Sequence, residues 1–110
     1  MGDGASSPHG SVMSRRPVGY HPAAFAEAEG AATWYRERSP QAEAAFLAEL
    51  ERAIREIGAG SQRWPPYLRN TRRYLLHRFP FSVVYRERAG KIEIVAVAHA
   101  HRRPGYWVKP

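Results

Sequence analysis

A chain of 110 residues with no cysteine has room for one domain and one core. It excludes a disulfide framework, a thiolate metal site and a cysteine nucleophile. No apolar run approaches the roughly 20 residues that span a bilayer, so a membrane partner is not expected. The net charge of +7 is unevenly placed: residues 1–60 carry six Arg against eight acids (−2), and residues 61–110 carry nine Arg and two Lys against Glu87 and Glu93 (+9).

Residues 1–16 are rich in Gly, Ser, Pro and His and too poor in apolar groups to offset the cost of ordering, which predicts a disordered tail before a domain over 17–110. The stretch has no secretory h-region, so a cytoplasmic protein is expected, and Met13 stands as an alternative start. Val18-Gly19-Tyr20-His21 reads as a short strand stopped by Pro22. From Ala23 to Arg38 the spacing is helical, with Phe25, Ala28, Ala32 and Tyr35 on one face and Trp34 beside it. Ser39-Pro40 restarts a helix: Ser is a good N-cap, and Pro suits the first helical position. An apolar stripe follows through Ala42, Phe46, Leu47, Leu50, Ala53, Ile54 and Ile57. Glu43, Glu49, Glu51, Arg52, Arg55 and Glu56 fill the solvent side, and Gly58 and Gly60 end the helix. So short a link predicts an antiparallel helical hairpin.

Ser61–Asn70 reads as a loop whose Trp64-Pro65-Pro66 is held extended and whose Trp packs over the core edge. Three strands come next. The first runs Arg73–Phe79 and is interrupted by Pro80. In the second, Phe81, Val83 and Tyr85 alternate with Ser82, Val84 and Arg86. In the third, Ile92–Ala98, the alternation puts Ile92, Ile94 and Ala96 on one face and Glu93, Val95 and Val97 on the other. Ala89-Gly90 makes a short hairpin between the last two. The predicted class is α+β: a small, twisted, mostly antiparallel sheet with an N-terminal antiparallel helical hairpin packed on one face.

The last strand runs into a dense group of cations and rings. His99 and His101, two residues apart, share a side; one of them can act as an acid or base near neutral pH. With too few further ligands nearby, no metal and no cofactor are expected. Arg72, Arg73, Arg78 and Arg102 bracket the sheet. With His99 and Trp107 they form a candidate target- or anion-binding surface, because the guanidinium fork suits phosphate and carboxylate. Trp107 reads as a clamp onto the core, and Tyr106 as the more open ring.

The segments AEGAATWYRERSPQAEAAFLAELERAI, RRYLLHRFPFSVVY and IVAVAHAHRRPGYW resemble the RelE/ParE superfamily of toxins from bacterial type II toxin–antitoxin systems. The nearest group is the one often called plasmid stabilization proteins. The resemblance spans Val18 to Trp107. It implies the α+β fold above, a growth-inhibitory protein, and a cognate antitoxin whose acidic, partly disordered tail folds along the helical hairpin and the basic sheet. By that resemblance Trp34 and Tyr35 belong to the antitoxin-binding face. RelE-like members cut mRNA on the ribosome, and ParE-like members poison DNA gyrase. The middle-strand position where a RelE-like enzyme carries its Arg is Ser82 here. The late Arg position falls near His101, with Arg103 two residues on, and the terminal Tyr position falls at Trp107 beside Tyr106. A nuclease built on this chain would therefore use His101, Arg103 and Tyr106 as catalytic residues. The incomplete set favours the non-enzymatic, gyrase-directed reading; mRNA cleavage with ribosome and mRNA as partners is the alternative, and a non-toxic nucleic-acid-binding module a third.

Overall fold

The computed structural model describes residues 15–108, so the tail expected over residues 1–16 lies outside the described residues but for its last two. The elements are β1 (Val18–Tyr20), α1 (Pro22–Arg36), α2 (Pro40–Ala59), β2 (Arg72–Leu75), β3 (Phe81–Arg88) and β4 (Lys91–His99). The sheet order is β1-β4-β3-β2. β2, β3 and β4 form an antiparallel meander, and β1 lies parallel to β4. The two helices cover one face. This is the expected α+β architecture.

The helix boundaries follow from local chemistry. His21 caps α1 with its Nδ1, which accepts from the Ala23 N–H at 3.0 Å. Ser39 Oγ accepts from the Ala42 N–H at 2.9 Å, with Pro40 at the first position. α2 runs through Gly58 to Ala59 because the chain entering β1 crosses there. The Arg16 N–H donates to the Gly58 carbonyl at 2.9 Å, and a Cβ at Gly58 would meet Arg16 O and Val18 Cγ2 at 3.2 Å. Ala89 and Gly90 both take positive φ (53° and 78°), the primed turn that matches the twist of a two-residue hairpin.

The core lies between helices and sheet: Ala24, Ala28, Ala31 and Ala32 of α1, Phe46, Leu50, Ala53 and Ile57 of α2, and Tyr74, Val83, Tyr85, Ile92, Ile94 and Val97 of the sheet. Four sequence expectations change. Phe25 is not a core residue but half exposed, meeting the Tyr20 ring edge-on at 5.7 Å. α1 instead meets the sheet through alanines, whose small side chains let the helix approach closely. Strand β2 stops at Leu75 rather than Phe79, because Leu76 N–H turns to the Phe81 carbonyl and a buried carboxylate takes the next two amides. That carboxylate is Glu49, expected on the solvent side. It accepts from the His77 and Arg78 N–H groups and pairs with the Arg78 guanidinium at 3.4 Å. Burial alone would raise its pKa; these donors outweigh burial and hold it below its ordinary value.

The fourth change sets up the functional surface. The β3–β4 register slips between Val84 and Tyr85: Tyr85 faces Ile94 and Val84 faces Ala96, leaving Val95 as an extra residue. This β-bulge inverts the alternation beyond it. Val97 joins Ile92 and Ile94 under the helices. Ala96, expected beside them, moves with Ala98 and Val84 to the opposite face.

Candidate functional site

The sheet face away from the helices has a floor of small residues, Ser82, Val84, Ala96 and Ala98. Its walls come from two segments. The loop before β2 supplies Tyr67, and the chain after β4 folds back to lay Tyr106 and Trp107 on the floor. The Tyr67 and Trp107 rings lie 5.5 Å apart, and Tyr106 meets Trp107 edge-on at 5.6 Å. Two guanidiniums sit on these rings: Arg73 over Tyr67 at 4.2 Å and Arg102 over Tyr106 at 3.7 Å. Arg73, Ser82, Ala98, Arg102, Arg103 and Trp107 line a small cleft of about 80 Å³. Guanidiniums braced on flat rings above a small-residue floor suit an anionic, extended ligand.

Glu27 of α1 ties this surface to the rest of the fold. Its Oε1 accepts the Val97 N–H at 2.9 Å, an edge amide beyond the end of β1. Its Oε2 accepts the Tyr106 hydroxyl at 2.5 Å and lies 3.9 Å from Arg102. Burial, and then the hydrogen bond and charge of Glu27, push the Tyr106 phenol well above its ordinary range, against a smaller opposing effect of Arg102. Tyr106 is therefore pinned rather than open, and it stays a protonated donor at any physiological pH. Trp107 packs on the second apolar cluster, as a clamp should.

The other expected site residues divide among three places. Arg73, Arg102, Arg103 and Trp107 meet on the open face. Arg72 turns away to the loop before β2, donating to Trp64 O at 2.5 Å and Gln62 Oε1 at 3.1 Å. Arg78 belongs to the Glu49 turn on the helix side. The six cationic and aromatic residues bracketing the sheet therefore do not converge on one edge, even though the strands form the meander. His99 and His101 do share a side, their rings 5.1 Å apart, with the His101 N–H donating to His99 Nδ1 at 3.1 Å. Neither has a carboxylate partner among the described residues. His99, in the inverted phase beyond the bulge, points to the helix side and meets Phe81 edge-on at 5.1 Å. With Trp34, Tyr35, Phe81, Val97 and Arg102 it lines a mostly apolar cleft of about 420 Å³, and like Arg102 it also borders the small cleft of the open face. Trp34 is 49% exposed and carries Arg38 stacked on its ring at 3.5 Å, whereas Tyr35 is partly buried against Phe46 and Phe79.

Glu27 and Tyr67 were not singled out from the sequence. For Glu27 a signal exists: it falls at helical spacing within the stripe Ala24, Ala28 and Ala31, where an acid is out of place unless something pairs with it. Tyr67 gives none, because its loop has no period.

No curated protein is a detectable relative of this chain. Among solved structures, a chain titled "Chromosomal ParDE TA system from P. aeruginosa" is similar in fold, with a TM-score of 0.69 at 14% identity. The match covers 79% of this chain and 98% of that one. The family model described as ParE toxin of type II toxin–antitoxin system, parDE, matches residues 18–104, from the first strand to the start of the C-terminal fold-back. The chain thus belongs to the ParE toxin family of type II toxin–antitoxin systems.

Proposed function

We propose that this protein arrests growth by binding a protein target, DNA gyrase, in the cytoplasm, and that a cognate antitoxin with an acidic, partly disordered tail neutralises it. Arg73, Arg102, Arg103 and Trp107 form the surface offered to the target, and the antitoxin covers Trp34 and Tyr35. The observation that carries the non-enzymatic reading is the state of Tyr106. RNA cleavage needs one group to activate a 2′-hydroxyl, another to protonate the leaving oxygen and a cation on the phosphate. Of the three candidates, the Tyr106 hydroxyl is engaged by Glu27, while His101 and Arg103 are exposed beyond the end of β4. Ser82 on the floor adds no cation.

Induced expression in a bacterial host, with thymidine and methionine uptake followed together, tests this. DNA synthesis falling first, with rescue by altered or overexpressed gyrase, is the expected result. Translation falling first would overturn it in favour of the mRNA nuclease, and His101→Ala with Tyr106→Phe should then abolish arrest while antitoxin binding persists. Absence of any arrest would leave a nucleic-acid-binding module with steep salt dependence.

A further inference from the structure

The cleft of about 420 Å³ beside α1 is lined in a way that the open sheet face is not. Trp34, Tyr35 and Phe81 supply aromatic walls, and Arg102 supplies a guanidinium. The rings hold one another in place: Trp34 meets Tyr35 edge-on at 5.1 Å, and Tyr35 meets Phe81 at 6.4 Å. Apolar walls with a few convergent polar groups are the usual make-up of a small-molecule site of this size. Gly30 of α1 borders the same space. A Cβ there would meet nothing within 4 Å, so no neighbour within the protein requires a glycine, although glycine inside a helix weakens it relative to Ala. Its missing side chain leaves the rim of the cleft open.

The polar groups suit a single negative charge. His99 Nδ1 accepts the His101 N–H at 3.1 Å, which leaves the ring proton on Nε2, a donor. Both Glu27 oxygens are already taken, by the Val97 N–H and by the Tyr106 hydroxyl. Glu27 still offsets part of the Arg102 charge from 3.9 Å. A dianionic phosphate would be underpaired beside that one shared guanidinium, whereas a carboxylate matches its fork and one imidazole N–H. We infer that this cleft binds a small aromatic carboxylate, its rings among Trp34, Tyr35 and Phe81 and its charge on Arg102 and His99. The same two donors border the cleft of the open face. A bound carboxylate therefore holds a guanidinium that the sheet face otherwise offers to its own ligand.

Calorimetric titration of the full chain with 2-naphthoate and with its uncharged analogue 2-naphthamide tests this. Naphthoate should bind at one site per chain, about tenfold or more tighter than the amide at low salt. Arg102→Gln should abolish that preference while the affinity for the amide stays within about twofold. Gly30→Leu fills the rim with a better helix former and should weaken both ligands about tenfold or more. In amide NMR spectra the shifts on binding should fall at Gly30, Trp34 and His99. Shifts confined to Phe25 and Leu47, exposed residues outside the cleft, overturn the inference. Equal affinity for the two ligands overturns it, as does no binding of either or undiminished binding to Gly30→Leu. Self-association dissolved by Gly30→Leu assigns the cleft to a second copy. An antitoxin lost on Gly30→Leu, from a chain that ignores naphthoate, assigns it to that partner. Both results also overturn the inference. The titration needs neither target nor antitoxin, so it decides the cleft whether or not the growth-arrest reading holds.

Discussion

Removing the Glu27 carboxylate is expected to loosen the sheet edge and the C-terminal fold-back together. In Glu27→Ala the Val97 N–H and the Tyr106 hydroxyl lose their acceptor, two bonds of 2.9 and 2.5 Å to a charged group. Such bonds contribute about 1.5–3 kcal/mol each when well shielded. Glu27 is 24% exposed, so freed donors reach some water and the lower half of that range applies. The Arg102 contact, at 3.9 Å with Arg102 itself 53% exposed, adds almost nothing. The expected loss is about 3–4.5 kcal/mol for Glu27→Ala and roughly half that for Glu27→Gln, which keeps one neutral acceptor. Urea unfolding followed by tryptophan fluorescence would show a lower midpoint with an unchanged slope. A double-mutant cycle with Tyr106→Phe should give a coupling of at least about 0.5 kcal/mol. A Glu27→Ala cost under about 0.5 kcal/mol, or full additivity with Tyr106→Phe, would refute the assignment of Glu27 as the tie between these elements.

Two further outcomes test the same logic elsewhere. The folded-state pKa of Glu49 is lowered, so its stabilisation is fully present above the unfolded carboxylate value of 4.5 and is lost as pH falls through the lower folded value. Acid unfolding of Glu49→Gln should therefore show a shallower fall in stability below that pH, and an identical slope would count against it. Ala89 holds φ of 53° in the hairpin turn, a conformation that strains an L-residue with a Cβ. Ala89→Asn should raise stability by about 0.5–1 kcal/mol in the same urea assay, and a loss would show that the turn is not the primed type.

The parts of the fold that could be read from the sequence are those with a period or a cap. Ser39-Pro40 and the stripe Phe46, Leu50, Ala53 and Ile57 place α2 without help from the rest of the chain, and Ala89-Gly90 fixes the last hairpin. The bulge was illegible for a physical reason: after Glu93 the strand reads Ile, Val, Ala, Val, Ala, and a run apolar at every position carries no alternation to reveal a change of phase. The alanine-rich α1 is ambiguous in the same way, so Phe25 stood in for Ala24 as a core position. Glu27, Glu49, Arg72 and Arg78 were misread or passed over because their partners lie far off in sequence or in loops. The Glu27 carboxylate meets amide 97 and phenol 106, and no local pattern announces that. Of the candidate surface, Arg73, Arg102, Arg103 and Trp107 were legible as residue types clustered beyond a strand. Only the topology separates them from Arg72 and Arg78.

The sheet order has a consequence for the birth of the molecule. Strand β1, among the first residues described, has β4 as its sole strand neighbour among the described residues, and β4 is Lys91–His99. While the chain is being synthesised, β1 has nothing to pair with, α1 lacks the strand it packs against most, and the β2–β3 hairpin lacks a partner on its inner side. Closure must wait for β4, at the entropic cost of the 70 residues, 21–90, that lie between the paired strands. Until β4 is made, the strand pair that carries Arg72 and Arg73 lacks the neighbour that joins it to β1 and α1.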